Sequence, residues 1–323
     1  MDYLDNLALA YPTAVNRALY RQQPEHFQVY ETLDFTPQGQ GDHLYLYLEK
    51  RNTNTDWLAR ELARKANLNP ADVGYAGRKD RHAVTSQWFS LHLPPSKKIS
   101  LKLFEGEDYK LLKHSRHIKK LRKGQIAHNR FKLQLTEFDG SFEQFKIRCH
   151  EVAQSGFPNY FGPQRFGHGG DNIIQAEAML SGKLRVKDRN KRSIYLSAAR
   201  SYLFNKILSK RLESDCWLTP ISGDQYLRLG QGELSISGAM AGDGENSALG
   251  ACLELESAVL EKNKNLYTGI ANSRIAWQRR SLRAMPEKLS CEKSSQGVEI
   301  NFSLQSGAYA TSLLRELLII NND

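Results

Sequence analysis

The sequence predicts a mixed fold, α/β or α+β, in which one sheet-bearing domain is interrupted by an insertion. Three observations carry this. Strand-like segments lie in the first half and return at the extreme C-terminus. Basic helical segments lie between them. A run of Gly, Pro and aromatic residues at 155–171 (SGFPNYFGPQRFGHGGD) marks a boundary near its start. Periodicity alone leaves the choice between α/β and α+β open.

Taken in order, residues 26–32 (HFQVYET) and 43–48 (HLYLYL) alternate apolar and polar side chains at period two, the pattern of half-buried strands. A helix follows at 55–66, where Asn54 or Thr55 can cap and Trp57, Leu58, Leu62 and Ala63 share one face. Asn69 and Pro70 close it. Residues 73–87, dense in glycine and charge, read as a loop leading into a strand at 88–93 (WFSLHL), which Pro94 and Pro95 stop. Another alternating strand is 131–135 (FKLQL). Beyond the boundary, 193–212 carries Leu196, Ala199, Leu203 and Ile207 at helical spacing. Finally 297–304 (GVEINFSL) reads as a strand, 305–307 as a turn, and 309–320 as a last helix.

Composition narrows the function. With 323 residues, 40% of them hydrophobic, the chain can bury a real core in one large domain or two, which excludes a largely disordered protein. The net charge of +10 points to a polyanionic partner. The charge is concentrated. From 109 to 136 there is no acid among Lys110, Lys113, Arg116, Lys119, Lys120, Arg122, Lys123, Arg130 and Lys132. A second cluster holds Lys183, Arg185, Lys187, Arg189, Lys191 and Arg192 against Asp188 alone. Two separated patches suit an extended phosphate backbone better than one small ligand.

Other classes fall away. The four cysteines form no C-x-x-C pair and read as free thiols in a reducing compartment. No stretch approaches the ~18 apolar residues of a membrane span, and the acidic start (MDYLDNLALAYPT) is not a signal peptide. A cytoplasmic protein is expected. His114 and His117 have no Cys or carboxylate beside them to complete a zinc set, so no metal is expected. Neither a phosphate-binding loop of the G-x-x-x-x-G-K-[ST] type nor a G-x-S-x-G elbow occurs.

The segment richest in chemistry is 74–87 (GYAGRKDRHAVTSQ). One carboxylate, Asp80, stands among Arg78, Lys79 and Arg81, and nearby cations favour its ionised form. Such a group can serve as a nucleophile or base toward a sugar, or simply form a loop salt bridge.

This segment resembles the A-G-x-K-D-x-x-A-x-T-x-Q motif of the TruD family of tRNA pseudouridine synthases. Three further segments resemble that family's motifs in the same order. They are 21–31 (RQQPEHFQVYE), 159–167 (NYFGPQRFG) and 307–317 (GAYATSLLREL). The resemblance spans about 21 to 317 and implies that a uridine of tRNA, typically at position 13, is isomerised to pseudouridine. The glycosidic bond breaks and a carbon–carbon bond forms, with the uridine flipped out of its stack. No metal or organic cofactor is implied. Asp80 takes the catalytic position, Phe131 that of an aromatic stacking on the flipped base, and Asn129 and Phe27 those of substrate contacts. Tyr309 stands where the family often has Phe, so its hydroxyl needs a partner if buried. Arg21 stands where Lys is more usual, as the cation near Asp80. RNA binding is expected of Arg78, Lys79, Arg81, Lys119, Lys120, Lys123, Arg189 and Arg192.

The implied fold is a pseudouridine synthase catalytic domain with a mixed, mostly antiparallel sheet, plus an inserted TRUD α/β domain, with tRNA bound in the cleft between them. The boundaries expected are 1–154 together with 284–323 for the first and 155–283 for the second. The chain is expected to act as a monomer, on tRNA and away from membranes. The alternative is a catalytically silent tRNA-binding protein or RNA chaperone on the same scaffold. The intact Asp80 motif argues against it, because binding alone needs no carboxylate among phosphate-seeking cations.

Overall fold

The computed structural model describes residues 6–11, 16–229 and 232–320. Packing divides the chain into two compact units. One comprises Val15–Ala153, Pro286–Gly307 and Leu318–Asp323; the other comprises Met1–Ala14, Gln154–Met285 and Ala308–Leu317.

The first unit is built on a mixed sheet. Its strands are β1 (Arg17–Leu19), β2 (Phe27–Thr32), β3 (His43–Arg51), β4 (Val73–Tyr75), β5 (Val84–His92), β6 (Tyr109–His117) and β7 (His128–Asp139), joined late in the chain by β13 (Glu287–Ser294), β14 (Gly297–Gln305) and β15 (Ile319–Ile320). The main path runs β13-β14-β7-β2-β5-β3-β6. Among the described residues of this sheet, β2 with β5 and β1 with β15 pair in parallel and the other pairings are antiparallel. The alternation in β3 turns Leu44, Leu46 and Leu48 to one face, where they pack with Phe89 and Leu91 of β5 beneath helix α1 (Thr55–Lys65). Leu58, Leu62 and Ala63 of α1 close that core, and Asn54 caps the helix by accepting from the Asp56 and Trp57 amides at 2.8 and 3.2 Å. Helix α2 (Phe142–Ser155) buries Phe145, Cys149 and Val152.

In the second unit, α4 (Arg189–Glu213) is central. Its Leu203, Phe204, Leu208 and Leu212 share a core with Ile173 and Ala176 of α3 (Asp171–Leu180) and with Leu266 and Ile270 of α6 (Lys264–Ala271). A small sheet of β9 (Gln225–Arg228), β10 (Leu234–Met240) and β11 (Gln278–Ser281) lies alongside α5 (Gly250–Lys262), and β8 (Phe157–Pro158) pairs with β12 (Arg283–Ala284). Helix α7 (Ala310–Leu317) belongs here too. Its Ser312 hydroxyl donates to the Tyr160 carbonyl at 3.0 Å, and its Glu316 carboxylate accepts from the Ala10 amide at 2.9 Å. The sequence-based boundaries differ at these edges, since they placed 1–14 and 308–317 with the other domain.

Four differences from the sequence reading have physical causes. Strand β3 continues through Lys50 to Arg51, its charged end having hidden the alternation. Strand β5 begins at Val84, because Thr85, Ser86 and Gln87 are buried polar residues that mimic a loop. The basic stretch 109–117 is a strand, β6, at the end of the sheet path, where lysines suit an edge open to solvent. The last helix stops at Leu317, and Ile319 and Ile320 pair with β1.

The cap gives a direct check on α1. Replacing Asn54 with Ala leaves two amides without their acceptor, and an equilibrium denaturation experiment is expected to show a loss of about 1 kcal/mol.

Candidate active site

The site forms around the connection from β4 to β5, residues 76–83. Its backbone is pinned at successive points. The Gly124 amide donates to the Ala76 carbonyl at 2.9 Å, and Gln87 Nε2 donates to the Gly77 carbonyl at 3.1 Å. The Lys79 amide donates to Thr55 Oγ1 at 3.0 Å, and that hydroxyl itself donates to Gln87 Oε1 at 3.0 Å. The Asp80 carbonyl accepts from Lys50 Nζ at 3.1 Å, and the Asn52 amide closes the segment on the Ala83 carbonyl at 3.1 Å. The motif's glutamine therefore holds the loop in place from beneath.

Lys79 and Asp80 diverge. Lys79 turns inward and pairs with Glu31 of β2, the two side chains only 6% and 0% exposed. The second oxygen of Glu31 accepts from the Trp88 amide at 3.0 Å. This corrects the expectation that Lys79 binds RNA: its charge is spent inside the protein. Arg78 pairs with Asp56 at 3.0 Å, and Asp56 also accepts from the Tyr75 hydroxyl. Arg81 is exposed. The cation at the Asp80 carboxylate comes from elsewhere, with Arg21 Nη2 3.3 Å from Asp80 Oδ2. Arg21 has a φ of +62°, a left-handed conformation that is costly for a bulky residue.

Below Arg21 lies an aromatic row. Its guanidinium carbon sits 3.7 Å from the centroid of Phe27. Phe27 meets Phe131 edge-on at 6.0 Å, and Phe131 stacks on Phe302 at 5.1 Å with planes 18° apart. Strand register explains the row, because Phe302 of β14 lies directly opposite Phe131 of β7. Phe27 is 1% exposed, so in this conformation it is a floor for Arg21 and not an open contact surface. Phe302 was missed as a site residue, although the alternation of 297–304 already places it on the buried face with Val298, Ile300 and Leu304. Asn129, on β7 opposite Glu31, has a buried Oδ1 with no hydrogen-bond partner, and Arg21 Nε is likewise unsatisfied. Orphaned polar atoms of this kind call for an explanation, and a ligand is one.

Tyr309 belongs to the other unit. There its hydroxyl accepts from Arg165 Nη2 and Nε at 2.8 and 3.1 Å, the partner that its extra oxygen needs. Phe161 packs against its ring at 5.8 Å. Of the basic residues, Lys119 and Lys123 are exposed, whereas Lys120 donates to the Ala71 carbonyl. Arg189 and Arg192 are exposed on the first turn of α4, which carries no acid. The helix N-terminus itself is capped by Asp188, whose carboxylate accepts from the Asn190 and Lys191 amides at 2.7 and 3.2 Å.

The family described as tRNA pseudouridine synthase D (TruD) matches residues 16–186 and 225–317. The chain is 39% identical to tRNA pseudouridine synthase D of Methylococcus capsulatus, covering 97% of this chain and 94% of that protein. It is 36% identical to tRNA pseudouridine synthase D of Hydrogenovibrio crunogenus, covering 97% and 96%. A crystal structure from Methanosarcina mazei, assigned to tRNA pseudouridine synthase D, shares the fold with a TM-score of 0.70 at 21% identity, covering 96% of this chain and 95% of that one.

The inward pair is testable by itself. Glu31→Gln leaves the Lys79 ammonium buried without its counter-charge, and urea denaturation is expected to show a loss of about 3–5 kcal/mol.

Proposed function

This chain belongs to the tRNA pseudouridine synthase D (TruD) family, isomerases that convert a uridine of tRNA to pseudouridine, and we propose that its target is uridine 13, with Asp80 as the catalytic carboxylate. The observation that carries the assignment of Asp80 is its pairing with Arg21, which itself rests on Phe27 beside Phe131. Arg21 orients the carboxylate from one side while the loop fixes its backbone from the other. The carboxylate then acts on a nucleotide whose base has left its stack, since the glycosidic carbon is otherwise shielded.

Phe131, buried in this conformation with one ring face on Phe302, stacks on the extruded base once its other face is uncovered, and Asn129 Oδ1 accepts a hydrogen bond from the base's imide N–H, which satisfies its orphaned oxygen. Phe27 contributes by supporting Arg21. Tyr309 is a substrate contact of its own unit, its ring oriented by Arg165. The sheet-bearing unit is the catalytic domain, and the segment 155–283 is the TRUD insertion. Exposed Lys119, Lys123, Arg81, Arg189 and Arg192 engage phosphates, the use that the net charge of +10 points to. Arg78 and Lys120 remain RNA contacts through the donors left beyond Asp56 and Ala71. The chain works as a monomer in the cytoplasm without a cofactor. Among the described residues no helix is long and apolar enough to cross a membrane.

Asp80→Asn tests the chemistry. tRNA binding is expected to persist while pseudouridine formation, read by mass spectrometry of the product RNA, disappears; retained turnover overturns the assignment. The double charge reversal Lys119→Glu with Lys123→Glu tests the interface. It is expected to weaken tRNA binding and to lower the slope of log Kd against log salt by about one for each phosphate no longer neutralised. An unchanged slope means that these lysines do not touch phosphate.

A further inference from the structure

The inward row of β3 reads Leu44, Leu46, Leu48 and then Lys50. The three leucines enter the core under α1; the fourth position carries an ammonium with no exposed surface. Lys50 Nζ donates to two backbone carbonyls, Thr53 at 2.6 Å and Asp80 at 3.1 Å. Among the described residues no carboxylate lies within ion-pairing distance of it, and the Asp80 side chain faces Arg21 instead. Burial draws its pKa down to about 8, Asp80 pulling the other way and Lys79 adding to the fall. Burying an ammonium with no counter-charge is costly, and a neutral donor could serve the same two carbonyls, so the fold alone gives little reason for a lysine here. What the lysine supplies is a rigid donor aimed at the main chain of the residue that carries the chemistry.

We propose that Lys50 is a positioning residue for the isomerisation: by holding the Asp80 carbonyl against Thr53, it fixes the direction in which the Asp80 carboxylate leaves the backbone. The neighbouring restraints act on Gly77, Lys79 and Ala83. Among these hydrogen bonds only the one from Lys50 reaches residue 80 itself. Freeing that carbonyl lets the peptide rotate, and a displacement of about 1 Å at a reacting group can cost on the order of a hundredfold in rate. The loss falls on the chemical step, because Lys50 has no exposed surface for RNA to reach.

The proposal rests on the reading of Asp80 as the catalytic carboxylate, and the test keeps the two apart. Lys50→Met and Lys50→Gln are compared with the parent and with Asp80→Asn for single-turnover pseudouridine formation at saturating tRNA, for KM, for tRNA affinity and for thermal melting. The expected result is a folded Lys50→Met protein with tRNA affinity and KM unchanged and a kcat lower by about tenfold or more. Lys50→Gln, which keeps an amide donor, is expected to recover part of the rate. A Lys50→Met rate within twofold of the parent, while Asp80→Asn is inactive, overturns the role of Lys50 and leaves that of Asp80 standing. A rise in KM with unchanged kcat also overturns it, as does failure of both variants to fold, since Lys50 then serves the fold and not the site. Full activity in Asp80→Asn removes the premise and the proposal with it.

Discussion

The buried pair of Lys79 and Glu31 is the constraint on which the rest of the site depends. Two charges taken out of water cost several kcal/mol unless their geometry is good and their remaining bonds are satisfied. Here the second carboxylate oxygen takes the Trp88 amide, so the pair also ties β2 to β5, the parallel neighbours at the centre of the sheet path. Once Lys79 is drawn inward, the next residue must leave the chain in another direction, and that residue is Asp80. The alternation of an inward lysine and an outward aspartate is what makes the K-D dipeptide of the motif a structural unit. The lysine anchors, and the aspartate is presented.

The positive charge accordingly has two uses. One part is internal and structural: Lys79 on Glu31, Arg21 on Asp80, Lys50 on two carbonyls. Lys79 and Lys50 are shielded from solvent, so salt screens them weakly, whereas the Arg21–Asp80 pair, 23% and 29% exposed, is partly open to screening. The other part is exposed, on β6 and the segment after it and at the start of α4, where it is available to a phosphate backbone and open to screening. The sequence shows both as runs of Lys and Arg. Burial is what separates them.

That distinction also marks how far the sequence could be read. Strands β2, β7 and β14 were visible because each buries one face and exposes the other, which writes period two into the sequence. Helix α1 was visible because Asn54 announces it. Strand β6 was hidden because an edge needs no apolar face, and β9–β11 because short strands rich in Ser and Arg carry little pattern. At the site, Asp80 stood out as a carboxylate among cations. The destination of Lys79 did not, since Glu31 is 48 residues away in the chain and only the β2–β5 pairing brings it near. Phe302 needed the register of β14 on β7, and Lys50 needed the strand to run past Leu48. The residues proposed to carry the chemistry were legible by type, whereas those that surround and hold them became legible only in three dimensions.

The most direct measurement is to incubate an unmodified tRNA transcript with the purified chain and map pseudouridine at single-nucleotide resolution. Conversion at position 13 with no change at other uridines is the predicted result. A transcript that is bound yet left unmodified, or modified only at another position, contradicts it.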